Sequence, residues 1–104
     1  MVFVETSIFS RALPDYLSDE DYRKLQSYLI ERPDAGAILQ HSGGVRKVRW
    51  AAGGKGKSGG LWIIYYWMKS DDQIFLLTLY GKGDKADLSA AELKQVVKLI
   101  EELK

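Results

Sequence analysis

The segment LWIIYYWMKSDDQIFLLTLY, residues 61–80, decides the fold. Its first part, LWIIYYWM (61–68), is apolar on both faces, as a strand in the middle of a sheet must be. Ser70-Asp71-Asp72-Gln73 is a turn, and Ile74 to Tyr80 (IFLLTLY) is a second buried strand. Upstream, Val45 to Ala52 alternates, with Arg46, Val48 and Trp50 on one face and Val45, Lys47 and Arg49 on the other. GGKGKSGG (53–60) joins this strand to the next, and its five glycines make it a long hairpin connection. Three consecutive strands form a meander.

Working outward, VFVE (2–5) reads as a first strand, and Ile8 to Tyr16 as a short helix interrupted at Pro14. Ser18 followed by Asp21 resembles a capping box, and Tyr22, Leu25 and Leu29 recur at helical spacing. That helix ends near Arg32, because Pro33 disfavours helical geometry in the residue before it. Residues 34–44 read as a loop and 81–87 as a polar connection. Ser89 and Glu92 then form a second capping box, and Leu93, Val96, Val97, Ile100 and Leu103 give the last helix one apolar stripe. The expectation is an α+β fold ordered β-α-α-β-β-β-α, helices packed on a mostly antiparallel sheet, in one domain spanning 1–104.

Composition removes whole classes of function. The chain has 104 residues, 46% of them hydrophobic and 28% charged, an ordinary globular balance. No cysteine is present, which excludes disulfides, iron–sulfur clusters and thiol nucleophiles. His41 is the one histidine, so no metal and no cofactor is expected, and Ser–His catalysis has no motif to run through. We read His41 as an exposed loop residue. MVFVETSIFS carries Glu5 after a short apolar run, which fits neither a secretory segment nor a membrane span, so the expected location is the cytoplasm with no membrane partner.

The net charge of +1 hides a segregation. Residues 35–70 contain no Asp or Glu but hold Arg46, Lys47, Arg49, Lys55, Lys57 and Lys69, while all 14 acids lie in the flanks. Such a basic middle third points to a polyanion or an acidic protein partner. Lys47 and Arg49 share a strand face, and Lys55 and Lys57 extend from the adjoining hairpin, so four cations converge on one surface with no acid nearby in sequence. A solvated, solubilising face is the alternative for lysines; the missing counter-charges favour phosphate binding. AAGGKGKS (51–58) is not a P-loop: Ala51 stands where the first glycine belongs, and a strand follows instead of a helix. Trp62, Tyr65, Tyr66 and Trp67 could stack bases, but packing claims most of them, and Trp62 is the one expected to be partly exposed.

The combination GGVRKVRWA (43–51), GKGKSGG (54–60), IIYYW (63–67) and LLTLYGKGDKADLS (76–89), together with the Glu92 helix, resembles the RelE-like toxins of bacterial toxin–antitoxin pairs, in particular their HigB-type branch. The resemblance implies a ribosome-dependent endoribonuclease that cuts mRNA in the A site, the ribose 2′-hydroxyl attacking the scissile phosphate with Lys and Arg in place of histidines. It implies the ribosome, mRNA and a neutralising antitoxin with a helix-turn-helix domain as partners. By position, Lys47 and Arg49 correspond to the paired basic residues of the family's second strand, Lys82 to the cation after the last strand's glycine, and Lys55 and Lys57 to the HigB-type hairpin. These five are the expected catalytic set. Arg46, Lys55, Lys57, Trp62 and Lys85 are the expected RNA contacts. RelE itself has arginines where this chain has Trp62 and Gly83, and a tyrosine near Ser89.

Physically, crowded cations lower one another's pKa, so a lysine of this cluster can act as base; Lys47 or Lys55 is expected near the 2′-hydroxyl, Arg49 clamping the phosphate, and Lys57 or Lys82 holding backbone phosphate or protonating the leaving oxygen. Two other classes compete. A gyrase poison of the ParE type would stop DNA synthesis and leave mRNA intact. A plain RNA- or ribosome-binding module would show salt-sensitive affinity without cleavage.

Overall fold

The computed structural model describes residues 1–51 and 60–103. Five strands, β1 (Val2–Glu5), β2 (Ala37–Ile38), β3 (Val45–Trp50), β4 (Leu61–Met68) and β5 (Gln73–Gly81), form one sheet in the order β1-β5-β4-β3-β2. The α-helices are α1 (Ser7–Tyr16), α2 (Asp19–Glu31) and α3 (Ala90–Leu103). The expected α+β meander is present: β3, β4 and β5 are antiparallel neighbours, and β4, apolar on both faces, is central. Only the β1–β5 pairing is parallel among the paired strands.

Each sheet face carries its own core. Phe9 of α1, its C-cap Leu17, and Leu25 and Leu29 of α2 pack on Val48, Ile63, Tyr65, Leu76 and Leu79. On the other face Val96 and Ile100 of α3 pack on Val45, Ile64, Phe75, Leu77 and Tyr80. The period-2 alternation of β3 therefore divides its side chains between two differently roofed surfaces.

The caps are as the sequence indicates. Ser18 Oγ accepts from the Asp21 N–H at 3.1 Å, and Arg32 is the C-cap of α2. Ser89 and Glu92 make the reciprocal pair, Ser89 Oγ accepting from the Glu92 N–H at 3.1 Å and Glu92 Oε1 from the Ser89 N–H at 2.9 Å.

Two local expectations are corrected. Pro14 does not interrupt α1, which continues to Tyr16. Pro14 and Ser10, the residue whose carbonyl loses its donor, are both exposed and lie in the last turns of the helix, where solvent can reach the chain. The segment 34–44 is not all loop: β2 pairs with Arg46 and Lys47. It is pinned there by Tyr65, whose hydroxyl donates to the Pro33 carbonyl at 2.8 Å and accepts from the Gly36 N–H at 2.9 Å. Gly36 is required at this approach, since a Cβ would lie 2.9 Å from the Lys47 carbonyl oxygen. The 53–60 connection lies outside the described residues apart from Gly60.

Candidate functional site

The α3-side face of the sheet carries a row across three strands, because Arg49 pairs in register with Trp62 and Trp62 with Tyr80. Lys47, two residues before Arg49, shares that face. Its ammonium lies 4.2 Å from the Trp62 ring centroid, so Trp62, expected as a partly exposed base-stacking residue, is half-buried beneath a cation.

The main finding is the acid. The connection after β5 crosses β4 to reach β3, and Lys47 Nζ donates to Asp87 Oδ1 at 2.5 Å and to the Ala86 carbonyl at 2.7 Å. Lys47 is 13% exposed and Asp87 75%, so an almost covered cation meets an open carboxylate. The expectation that no acid balances the basic strand holds along the sequence and fails in space. Lys47 thus donates to a backbone carbonyl and to the carboxylate that the sequence reading did not place on this face.

Tyr80 is the other residue that sequence reading missed. Its ring lies under the Lys85 ammonium, 4.9 Å from the centroid, and its hydroxyl is buried without a hydrogen bond of good geometry. Burial pushes the phenol pKa up, opposed by the nearby Lys47 ammonium, which lies close but outside hydrogen-bond alignment. Tyr80 is thus a protonated phenol at neutral pH.

Lys85 pairs with Glu92, and that hydrogen bond together with the Ser89 N–H holds the Glu92 carboxyl below its ordinary pKa. Lys82 is exposed on the turn, which is shaped by Asp84: its Oδ2 accepts from the Gly81 N–H at 3.0 Å and from the Tyr16 hydroxyl at 2.7 Å. Gly83 is exposed, with no heavy atom within 4 Å of the position a Cβ would take.

The structure therefore brings together Lys47, Arg49, Trp62 and Lys85. It does not bring Arg46 to them: Arg46 lies on the opposite face, its Nη1 donating to the carbonyls of Asp34 at 3.1 Å and Gly36 at 2.8 Å. Lys55 and Lys57 lie outside the described residues. His41 is exposed in a turn with φ of 58°. Beside the Lys47–Asp87 pair opens a cleft of about 180 Å³ lined by Leu39, Gln40, Lys47, Tyr80, Asp87, Leu88 and Leu93. No helix among the described residues is long and apolar enough to cross a membrane.

Residues 5–104 match a family described as the RelE toxin of the RelE/RelB toxin–antitoxin system. Similar solved structures include a double arginine-to-alanine mutant of the Escherichia coli toxin RelE in the free state, 17% identical with a TM-score of 0.56, covering 95% of this chain and 96% of that one. Another is the intact E. coli RelBE toxin–antitoxin complex, 16% identical with a TM-score of 0.57, covering 84% of this chain and 98% of its counterpart. At such identities the likeness shows a shared fold, and the nearly full-length family match shows the kinship.

Proposed function

Since this chain belongs to the RelE toxin family, we propose that it is the toxin of a toxin–antitoxin pair and acts as a ribosome-dependent endoribonuclease on mRNA in the cytoplasm, restrained by a cognate antitoxin carrying a helix-turn-helix domain. The observation that carries the reading is the juxtaposition of Lys47, Arg49 and Asp87 on one face: two cations for a phosphate and one open carboxylate for a proton.

In this reading Lys47 and Arg49 grip the scissile phosphodiester, with Lys82 and Lys85 adding charge from the turn. The ribose 2′-hydroxyl attacks phosphorus and its proton passes to Asp87. The bond from 2′-oxygen to phosphorus forms as the bond to the leaving 5′-oxygen breaks, giving a cyclic phosphate, and the leaving oxygen takes a proton from a neighbouring lysine. Arg49 offers paired donors to the charge that builds on the phosphorane-like transition state. Lys55 and Lys57, outside the described residues, are further phosphate-binding candidates, as the family resemblance implies.

The test is primer extension on a reporter mRNA incubated with the protein, with and without translating ribosomes. New 5′ ends at codon-periodic positions, seen only with ribosomes, are expected. The Lys47→Ala/Arg49→Ala double variant is expected to remain folded and to relieve growth inhibition. Intact mRNA with early arrest of DNA synthesis would instead mark a gyrase poison.

A further inference from the structure

The turn after β5 carries Lys82 and Lys85 and leads to Asp87 beside Lys47, yet it is fastened from the opposite side of the sheet. Tyr16, the last residue of α1, packs its ring against the α1–α2 core. Its hydroxyl donates to Asp84 Oδ2 at 2.7 Å, and the same oxygen accepts from the Gly81 N–H at 3.0 Å. The Asp84 N–H donates back to the Gly81 carbonyl at 2.9 Å, and the Lys82 N–H donates to the Gly60 carbonyl at 3.1 Å. One carboxylate thus ties α1 to both ends of the 81–84 turn.

Gly81 leaves the room for this contact. It is buried, and a Cβ there would lie 2.9 Å from Asp84 Oδ2 and 3.4 Å from Tyr16 Cε1. Any side chain at this position would push the carboxylate off its two donors. The Asp84 hydrogen bond, followed by burial, raises the Tyr16 pKa above its ordinary value of 10.0, so the hydroxyl stays a donor at neutral pH. The ring packs on the core without help from its oxygen, and Asp84 is exposed. What the bond fixes is the place of the turn.

We propose that Tyr16 and Asp84 are positioning residues for RNA cleavage, a latch from α1 that holds Lys82 and Lys85 in register with the reacting phosphate; the inference rests on the RNA reading above. Lysines on a loosened turn still attract phosphate, because counterion release counts cations and tolerates small displacements. Stabilising the transition state does not tolerate them: a shift of about 1 Å can cost on the order of a hundredfold in rate. The latch therefore governs rate and leaves affinity alone.

The test compares the wild-type protein with Tyr16→Phe, Asp84→Ala and Asp84→Asn. Single-turnover cleavage of a reporter mRNA on translating ribosomes gives the rate, and anisotropy with an uncleavable 2′-O-methyl RNA gives the affinity. Tyr16→Phe, which removes one oxygen and no charge, is expected to slow cleavage about tenfold or more with affinity and its salt dependence unchanged. Asp84→Ala is expected to slow cleavage at least as much. Asp84→Asn removes the same charge but keeps an acceptor oxygen for both donors, so it is expected to restore the wild-type rate. If Tyr16→Phe cleaves at the wild-type rate, or loses affinity in step with rate, the latch is overturned and the RNA reading stands. If Asp84→Asn is as slow as Asp84→Ala, the charge and not the hydrogen bond is at work, which also overturns it. A wild-type protein that neither cleaves nor binds RNA removes the RNA reading and the latch with it.

Discussion

At the residue scale, the Lys47–Asp87 pair decides what chemistry the face can do. A carboxylate that merely props up Lys47 and one that takes the 2′-hydroxyl proton make different demands. Asp87→Asn keeps the size and a hydrogen-bonding oxygen for Lys47 but removes the proton acceptor. Loss of a general base costs about 10²- to 10⁴-fold in rate, whereas affinity for an uncleavable 2′-O-methyl RNA should hold or rise, because an anion competing for Lys47 has gone. Cleavage and affinity falling together would reduce Asp87 to a support for Lys47. This pairing was illegible in the sequence because Lys47 and Asp87 are 40 residues apart, and counting acids near the basic strand looks along the chain, not across the sheet. The strand face of Lys47 and Arg49 was legible because alternation alone fixes it. Tyr80 is core, as the apolar run of β5 indicates; its place on the cleft wall follows from the register of β5 against β4, which composition does not encode.

At the element scale, what could be read was what is locally determined. The Ser18 cap, the Ser89–Glu92 capping box, the end of α2 before Pro33 and the two-faced apolarity of β4 arise from residues within a few positions of one another. The two-residue β2 and the parallel pairing of β1 with β5 depend on partners far along the chain, and no local propensity announces them. The α3 cap also gives a pH dependence. Glu92 has its pKa lowered, first by the Lys85 hydrogen bond and then by the Ser89 N–H. A depressed carboxyl pKa adds stability that is complete above the unfolded value of 4.5 and is lost as the pH falls through the lower folded value. The wild-type protein should therefore lose stability on acidification below about pH 4.5 more than Glu92→Gln does, by a small amount because the Glu92–Lys85 pair is more than a third exposed. Thermal melts from neutral to acid pH check this; parallel curves for the two proteins would deny the cap its charge. Ser89→Ala, which removes the other half of the box, should cost about 1 kcal/mol at neutral pH.

At the scale of the whole molecule, the sheet separates stability from function. The α1–α2 face holds the larger buried cluster, and Arg46 is spent there on backbone carbonyls. The α3 face gives up part of its apolar surface to Lys47, Arg49, Lys85 and the cleft. A protein of net charge +1 has no overall attraction for RNA, so binding must come from this local field, and its salt dependence counts the cations involved. Each cation that neutralises a phosphate of a single strand contributes about 0.7 to the slope of log affinity against log salt. Replacing Lys47 and Arg49 together by Ala should lower that slope by about 1.4, while Arg46→Ala, acting through the fold on the opposite face, should leave the slope near the wild-type value even where it lowers stability. Fluorescence anisotropy with an uncleavable RNA across a salt series measures both. A slope unchanged in the double variant would place the phosphate contacts elsewhere on the surface, whereas a slope reduced as much by Arg46→Ala would mean that both faces of β3 meet the RNA.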